Sequence, residues 1–379
     1  MTPPSLTDQA YLLLEDGMRF AGASLGARGL AVGEVAFNTS MTGYQEILTD
    51  PSYASQLVAM TYPLVGNYGI NVQDSESGGA QVAGFVVREA SRIHSSWRGE
   101  VSLEDYLRDR GIVAIAHVDT RALTRHIRSA GAMRGAIAPA SMSEEDVMER
   151  IRLHPRMEGL DLASLVSAGR GYEIPAVGSE RFHVLALDLG IKTNSLRLLA
   201  EKGCRVTVLP SGTLTEDVLG ENPSGLFVSN GPGDPAAVGT AQEAVLRLSE
   251  AGTPVFGICL GHQLIARAFG GRTYKLLFGH HGGNHPVRNL DGGPVEITAQ
   301  NHGFAVVMDE EGEIPGAPDL RVTHLNLYDG TVEGLAHRTR PVFSVQYHPE
   351  GAPGPHDSRY LFDRFMRLME NRLPVGEGQ

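Results

Sequence analysis

One cysteine stands in a sequence context that could make it a nucleophile. Cys259 is at the centre of residues 257–261 (GICLG), after an apolar run at 254–256 and before a helical pattern at 263–269. A sharp turn from strand to helix forces the backbone of its central residue into a strained conformation. Flanking glycines let the neighbouring backbone segments approach each other closely. Such a turn presents the thiol at the positive end of a helix, where it ionises more easily. Taken alone, the pattern also fits a buried cysteine in an ordinary strand–helix unit.

A thiolate nucleophile needs a base, and the base needs a group that fixes its tautomer. His348 and Glu350 follow the apolar run at 342–345, so they lie at the end of a predicted strand. Residues two apart on an extended segment share a side, which lets Glu350 orient the imidazole. The chain has 14 histidines, so an exposed loop histidine beside a loop glutamate is the alternative.

The other histidines in conspicuous motifs and the second cysteine give weaker indications of a catalytic or metal-binding role. His280, His281 and His285 fall in FGHHGGNHP. Adjacent histidines point in different directions and no cysteine or carboxylate cluster completes a ligand set, so we expect a glycine-rich loop and no metal. In QNHGF, His302 is predicted to be a turn residue that shapes backbone around a ligand. Cys204, on the apolar run CRVTVLP, is predicted to be a core residue.

The elements around these residues change character along the chain. The first half predicts strands and short helices, with an Asp-Gly hairpin near residue 16 and helix caps at Ser102 and at Asp119 or Thr120. Residues 157–179 have weak periodicity and are predicted to connect two domains. From Phe182, strands and helices alternate, which predicts a mostly parallel sheet with helices on both faces. The loop GPGDP at 231–235 and Cys259 then face one crevice at the carboxyl ends of strands.

Composition narrows the function classes. A net charge of −12 over 379 residues, without a basic block, argues against a nucleic-acid surface. Two cysteines do not make a disulfide framework, which favours a reducing compartment. The first residues lack the features of a signal peptide and no apolar run approaches membrane-spanning length, so we expect a cytoplasmic protein with no membrane partner.

The motifs together resemble a known family. GICLGHQLIA, SNGPGDP and HPE are similar to motifs of the class I glutamine amidotransferases. FNTSMTGYQEILTDPSY, TYPLVGNYG, DTRALTRHIR, FGHHGGNHPV and TAQNHGFAV resemble the small subunits of carbamoyl-phosphate synthases. The resemblance implies an α/β protein in which an N-terminal α+β domain (1–155) and a linker (156–180) precede a flavodoxin-like amidotransferase domain (181–379) with a mostly parallel sheet.

The resemblance also implies roles for individual residues. Cys259 would be the nucleophile of glutamine hydrolysis, His348 its base and Glu350 the group that orients the base. The amides of Gly233 and Leu260 would hold the oxyanion. The positions implied to contact L-glutamine are Ser52, Gly231, Gly233, Leu260, Gln263, Asn301, Gly303 and Phe304. Because Ser52 belongs to the first domain, the pocket would lie at the domain interface.

The resemblance implies a partner as well. The chain has no GxxxxGK[ST] loop, so ATP and its metal ions would bind to a large subunit, in a heterodimer or a higher oligomer. No cofactor is expected in this chain. The ammonia would serve carbamoyl phosphate synthesis for pyrimidines, arginine or both. A stand-alone thiol γ-glutamyl hydrolase, the amidotransferase subunit of another synthetase, and a scaffold without catalysis stay open as alternatives.

Overall fold

The computed structural model describes residues 9–372, which form two compact units. The first contains the described residues up to Leu160 together with Leu277–Gly282. The second contains Asp161–Leu276 and the described residues from Gly283 onward. No helix among residues 9–372 is both long and apolar enough to cross a membrane.

The first unit is built around a closed barrel of seven strands, in the order β1-β2-β8-β6-β4-β3-β9. Its strands are β1 (Gln9–Leu14), β2 (Arg19–Gly26), β3 (Ala31–Asn38), β4 (Gln56–Met60), β5 (Leu64–Val65), β6 (Gly84–Val86), β7 (Glu89–Ala90), β8 (Val113–Ala116) and β9 (Arg134–Pro139). Its helices are α1 (Tyr44–Thr49), α2 (Leu103–Asp109), α3 (Thr120–Ala130) and α4 (Glu144–Leu153), with a 3₁₀ turn at Pro51–Tyr53. The short strands β5 and β7 pair with each other outside the barrel.

Local sequence signals account for many of these boundaries. Asp16 and Gly17 form the predicted turn between β1 and β2, where Gly17 has φ 89°. Helices α2, α3 and α4 begin after Ser102, Asp119 and Ser143, whose side chains each accept a hydrogen bond from the amide three residues further on. These caps satisfy amides that have no partner inside the helix. The predicted caps of α2 and α3 are therefore confirmed.

The second unit is a ten-stranded sheet with helices, in the order β10-β12-β11-β13-β14-β19-β18-β17-β15-β16. Its strands are β10 (Tyr172–Ile174), β11 (Phe182–Asp188), β12 (Cys204–Pro210), β13 (Gly225–Val228), β14 (Val255–Ile258), β15 (Thr273–Asn289), β16 (Val295–Val306), β17 (Leu320–Asn326), β18 (Val332–His337) and β19 (Val342–Val345). Its helices are α5 (Ala163–Val166), α6 (Thr193–Glu201), α7 (Thr215–Gly220), α8 (Thr240–Glu250), α9 (Leu260–Ala268) and α10 (Tyr360–Arg372).

The predicted parallel core of this unit is confirmed. The five neighbouring strands β12, β11, β13, β14 and β19 pair in parallel, and strands β11, β13 and β14 are fully or almost fully buried along their length. Both faces of a parallel sheet are covered by crossover helices, which explains the continuous apolar runs in the sequence. Cys204 is fully buried on β12, as predicted for a core residue.

Two local predictions are wrong. The stretch FGHHGGNHP, predicted as a glycine-rich loop that contains His280, His281 and His285, lies inside the 17-residue strand β15. His302, predicted at a turn, lies inside β16. In both cases the two strands are neighbours in the sheet, and this pairing overrides the local glycine or polar signal. The stretch 157–179, predicted to connect two domains, contains helix α5 and strand β10, which pairs with β12; its role as a connector stays a prediction.

Candidate active site

The predicted nucleophile occupies a strained turn between β14 and α9. Cys259 has φ 54° and ψ −104°, and helix α9 begins at the next residue. A positive φ is rare for residues other than glycine, so the surrounding structure must hold it. Its backbone amide donates to the carbonyl of Val345 on β19, at 2.9 Å, and its side chain is only 2% exposed. The thiol donates to the carbonyl of Asn301, at 3.5 Å.

The two flanking glycines are required by close backbone contacts. A Cβ at Gly261 would lie 2.1 Å from the carbonyl oxygen of Val228, on β13. A Cβ at Gly257 would lie 2.5 Å from Cδ1 of Ile265 and 2.8 Å from the carbonyl oxygen of Gly261. Real Cβ atoms do not approach other atoms so closely, and a backbone oxygen cannot move aside as a flexible side chain can. The strain at Cys259 is therefore maintained by neighbours that only glycine allows.

The predicted base and its orienting carboxylate come together just beyond the end of β19. Nδ1 of His348 lies 2.7 Å from Oε1 of Glu350, and both side chains are almost completely buried. A carboxylate at Nδ1 holds the proton there, which leaves Nε2 to accept a proton from another group. The amide of His348 donates to the carbonyl of Ala299 at 2.9 Å, which fixes the backbone that carries the ring.

The electrostatics place the thiol and the imidazole in one site. Burial and the Lys192 ammonium lower the pKa of His348, but Glu350 and Cys259 outweigh them, so that the pKa lies above its usual range. Burial raises the pKa of Glu350, yet His348 and Lys192 together hold it below its usual range. Nε2 of His348 has no hydrogen-bond partner within residues 9–372, and Cys259 is one of the two groups that raise the pKa of this ring. These charges favour the imidazolium form of His348 and the ionised form of Glu350.

A buried lysine completes this cluster, and the sequence analysis did not identify it. Nζ of Lys192 lies 3.2 Å from Nδ1 of His348 and 3.3 Å from Oε1 of Glu350. The amide of the Asn194 side chain donates to the carbonyl of Glu350. Lys192 directly precedes α6 and follows β11, so its position at the carboxyl end of a parallel strand was the available signal. A lysine at the start of a helix would otherwise be interpreted as a solvated charge.

The amides implied to bind the oxyanion lie in suitable local structures. Leu260 is the first residue of α9, so its amide has no partner inside the helix. Gly233 has φ 94°, in the loop that follows β13. A Cβ at Gly231, in the same loop, would lie 2.0 Å from the carbonyl oxygen of Leu189. Within residues 9–372 the amides of Leu260 and Gly233 have no assigned acceptor, which leaves both able to bind an anionic oxygen.

Several residues implied to contact glutamine already contact one another. Nε2 of Gln263 donates to the carbonyl of Phe304, at 2.8 Å, and to Oε1 of Gln346, at 3.1 Å. Asn301, Gly303 and Phe304 all lie on β16. Ser52 is in the first unit, in the 3₁₀ turn, where its amide donates to Oδ1 of Asp50 at 2.9 Å. Glutamine binding by these residues, and a pocket between the two domains, stay predictions.

Comparison with known proteins identifies the family. The profile described as carbamoyl-phosphate synthase small chain, CPSase domain, matches residues 12–137, and that of glutamine amidotransferase class-I matches residues 185–368. The carbamoyl phosphate synthase small chain of Syntrophotalea carbinolica is 52% identical over 382 residues, covering 97% of this chain and 100% of that protein. The protein of the same name from Synechococcus sp. is 50% identical, covering 97% of this chain and 95% of its own length.

A third relative agrees with the first two. The carbamoyl phosphate synthase small chain of Chlorobaculum tepidum is 51% identical over 363 residues, which cover 95% of this chain and 98% of that protein. Identity at this level over nearly the full length of all three proteins shows both the family and the domain content. The chain therefore belongs to the carbamoyl phosphate synthase small chain family and contains its glutamine-hydrolysing class-I amidotransferase domain.

Proposed function

We propose that this chain hydrolyses L-glutamine through a Cys259 thioester and passes the ammonia to a carbamoyl-phosphate synthase large chain. The observation that carries the proposal is the buried thiol of Cys259 on a strained turn whose amide is bonded to Val345, three residues before the buried His348–Glu350 pair. A nucleophile, a base and an orienting carboxylate are the groups that acyl transfer needs.

The chemistry follows from the positions of these groups. The Cys259 thiolate attacks the side-chain amide carbon of glutamine, and the amides of Leu260 and Gly233 stabilise the oxyanion. His348 gives its proton to the departing ammonia, and the thioester of glutamate remains on the sulfur. His348 then takes a proton from water, which cleaves the thioester and releases glutamate. Glu350 stabilises the imidazolium and Lys192 offsets the charge of Glu350 in this dry site.

The remaining steps belong to a separate chain in this proposal. Carbamoyl phosphate synthesis from bicarbonate needs ATP, and the sequence contains no GxxxxGK[ST] loop. The curated relatives are called small chains, which supports a large-chain partner that binds ATP and its metal ions. Free ammonia would be protonated at neutral pH, so transfer within the complex protects the nucleophile. The product would enter pyrimidine synthesis, arginine synthesis or both.

Replacement of the nucleophile tests the division of labour. We expect Cys259→Ala, assembled with the large chain, to lose glutamine-dependent carbamoyl phosphate synthesis by about 10⁴-fold or more, because no thioester can form. Synthesis from added ammonium salt should be unchanged. Glutamate release and carbamoyl phosphate formation are measured on the same samples with each nitrogen source.

The second cysteine provides the matched control. Cys204→Ala removes a buried thiol that contacts Met366 on α10, away from the candidate site, and should keep both activities. Glutaminase activity that survives Cys259→Ala would contradict the assigned nucleophile. Robust hydrolysis by the isolated chain that the large chain does not change would favour a stand-alone γ-glutamyl hydrolase.

A further inference from the structure

A second buried carboxylate of the second unit takes no part in the proposed mechanism. Glu333 lies on β18 and is completely buried. Its Oε1 accepts from Nδ2 of Asn326, at 2.8 Å, and its Oε2 accepts from Nε2 of Gln300, at 2.9 Å. Both oxygens therefore receive a hydrogen, which fits the ionised carboxylate, because a protonated carboxyl group carries its own hydrogen on one of them. A buried anion is costly unless other groups compensate its charge.

The surrounding hydrogen bonds fix which way the two amide side chains point. The backbone amide of Tyr328 donates to Oδ1 of Asn326, at 2.9 Å, so Nδ2 is the end that faces the carboxylate. The hydroxyl of Thr298 donates its only hydrogen to the carbonyl of His285, at 3.0 Å. It must therefore accept from Nε2 of Gln300, at 3.1 Å. The oxygen of Gln300 consequently points away from both groups.

That oxygen faces a histidine on β16. Oε1 of Gln300 lies 3.0 Å from Nε2 of His302, and the carbonyl oxygen of Phe304 lies 2.8 Å from Nδ1 of the same ring. Neither oxygen has a hydrogen to donate, so both ring nitrogens must donate, and only the imidazolium carries a hydrogen on each. The buried anion and this almost completely buried cation are thus joined through the Gln300 amide.

The imidazolium belongs to a segment that contacts the candidate active site. The thiol of Cys259 donates to the carbonyl of Asn301, the preceding residue. The carbonyl of Phe304 accepts from Nε2 of Gln263, at 2.8 Å, as well as from the imidazolium. Residues 301–304 include three of the positions implied to contact glutamine. A charged donor therefore holds this segment at two points, two residues apart on either side of the ring.

We propose that Glu333 is a positioning residue for glutamine, because through Gln300 it keeps His302 as an imidazolium that holds residues 301–304 in their binding geometry. The inference rests on the proposed function, since it takes glutamine as the substrate. A neutral ring would present a lone pair to one of its two acceptors, and the segment would lose one charge-assisted hydrogen bond. Glu333 itself need not touch the substrate.

The charge of His302 can be measured without an enzymatic assay. The full-length chain is labelled with ¹⁵N in its histidine rings, and spectra that correlate ring nitrogens with their hydrogens are recorded at pH 7.5, where an ordinary histidine is mostly neutral. We expect His302 to carry a hydrogen on both nitrogens. His348 is expected to be protonated too, so His302→Gln identifies the His302 resonances by their disappearance. A neutral His302 at this pH would overturn the inference.

Glu333→Gln then tests the effect on glutamine. The new NH₂ group would oppose the NH₂ group of Gln300, whose amide should rotate and place its nitrogen against His302. We expect the ring to lose one hydrogen and KM for glutamine to rise about 10-fold, with kcat within about twofold, in the enzyme assembled with the large chain. Such a change follows from a lost hydrogen bond to a charged group that holds substrate and transition state alike.

A second variant and a matched control accompany this measurement. Gln300→Met removes the amide that joins the two charges and should also leave His302 neutral and raise KM, which keeps the test decisive if Glu333→Gln does not fold. The control is Glu296→Gln, which alters another buried carboxylate of the same unit whose partners are tyrosine hydroxyls. It should change neither the His302 resonances nor KM. Circular dichroism verifies that each variant is folded.

The results separate this inference from the proposed function. An unchanged KM in a folded Glu333→Gln variant with a neutral His302 would overturn the positioning role and leave glutamine hydrolysis intact. A fall in kcat at constant KM, or the same change in Glu296→Gln, would overturn it as well. No glutamine hydrolysis by the unsubstituted complex would overturn the proposed function and the positioning role with it, whereas the spectra would still report the charge of His302.

Discussion

The candidate active site and the exposed loop at residues 91–101 of the first unit depart in opposite directions from the usual distribution of residues. In the second unit, Lys192, His348 and Glu350 keep at most 9% of their side chains exposed. In the first unit, Trp97 and Ile93 are almost fully exposed. Buried charges are costly unless they are paired, and exposed aromatic side chains give up the free energy of burial. The buried charges are therefore tolerated because they are paired, whereas the exposed side chains contribute little to stability.

The comparison also shows how each region is supported. The buried charges are paired with one another, and the strained turn beside them depends on glycines that pack against backbone atoms. The guanidinium of Arg98, which pairs with Asp74, lies 5.6 Å from the centroid of the Trp97 ring. The buried charges thus have partners within the fold, whereas the tryptophan ring keeps most of its surface in water.

The largest expected effect tests whether the buried charge is functional. Glu350→Gln keeps the shape of the side chain but removes the charge that pairs with His348 and Lys192. We expect kcat of glutamine hydrolysis to fall by about 10³- to 10⁴-fold, because the wrong tautomer of His348 is favoured and its imidazolium is no longer stabilised. Steady-state kinetics across pH give the measurement.

Another buried carboxylate of the same unit serves as the control for that variant. Glu296 accepts hydrogen bonds from the hydroxyls of Tyr347, on Oε2, and Tyr360, on Oε1; in a glutamine the oxygen can accept from one hydroxyl while the NH₂ group donates to the other. Glu296→Gln should therefore keep activity near that of the unsubstituted chain. An equal loss in both variants would mean that any buried charge matters, and the contrast between the two regions would lose its basis.

The next effect concerns the turn itself. Gly261→Ala forces a Cβ to within 2.1 Å of the Val228 carbonyl oxygen, and neither backbone can yield without moving β13 or α9. We expect a loss of about 4 kcal/mol or more in the free energy of unfolding of the second unit, or no folded protein. Urea denaturation followed by circular dichroism measures this loss. Gly239→Ala, where an added Cβ meets nothing within 4 Å, should change stability little, and equal destabilisation would contradict the steric argument.

The smallest effect is a difference between the two units on acidification. Burial lowers the pKa of His262 to about 3 and that of His324 to about 4, so both are neutral in the folded state. Below pH 6.5 these two histidines bind protons in the unfolded chain but stay neutral in the folded unit. The free energy of unfolding of the second unit therefore falls as the pH falls. Burial instead raises the pKa of Glu46, in the first unit, to about 7. The protonated Glu46 side chain therefore favours the folded state. This contribution to stability is fully present below the pKa of 4.5 in the unfolded chain and is lost as the pH rises through the pKa of about 7 in the folded unit.

From pH 7 to 5.5, the two histidines should therefore cost the second unit about 2 to 3 kcal/mol, while Glu46 adds about 1 to 2 kcal/mol to the first. Hydrogen exchange measured by mass spectrometry reports the two units separately, after correction for the intrinsic pH dependence of exchange. His324→Gln should flatten the pH dependence of the second unit. Parallel changes in both units would show that other groups control the response.

The local elements of the fold were predictable because their signals are short in sequence. The hairpin at Gly17 and the caps at Ser102 and Asp119 each depend on contacts within three residues. Closure of the barrel was not predicted, since β3 pairs with β9 about a hundred residues further on. At FGHHGGNHP, incorporation into the long strand β15 outweighs the turn preference of glycine.

The candidate site was also predicted in part, where its residues carry short sequence signals. Cys259 was identified from its flanking glycines, and His348 with Glu350 from their spacing after a strand. Lys192 was missed because it lies 156 residues from His348 and carries no local motif. Trp97 is visible in the sequence, but nothing in its neighbours shows whether it is buried or exposed.

The sequence alone determined the chemistry that is available and the family, because glycine spacing, strand ends and residue types are local properties. Only the tertiary structure decided which charges share one dry pocket and which apolar groups stay in water. Those outcomes depend on pairing between distant strands, such as β14 with β19, which brings Cys259 to the amino acids that follow Val345. Burial is a property of the whole fold, and no short stretch of sequence contains it.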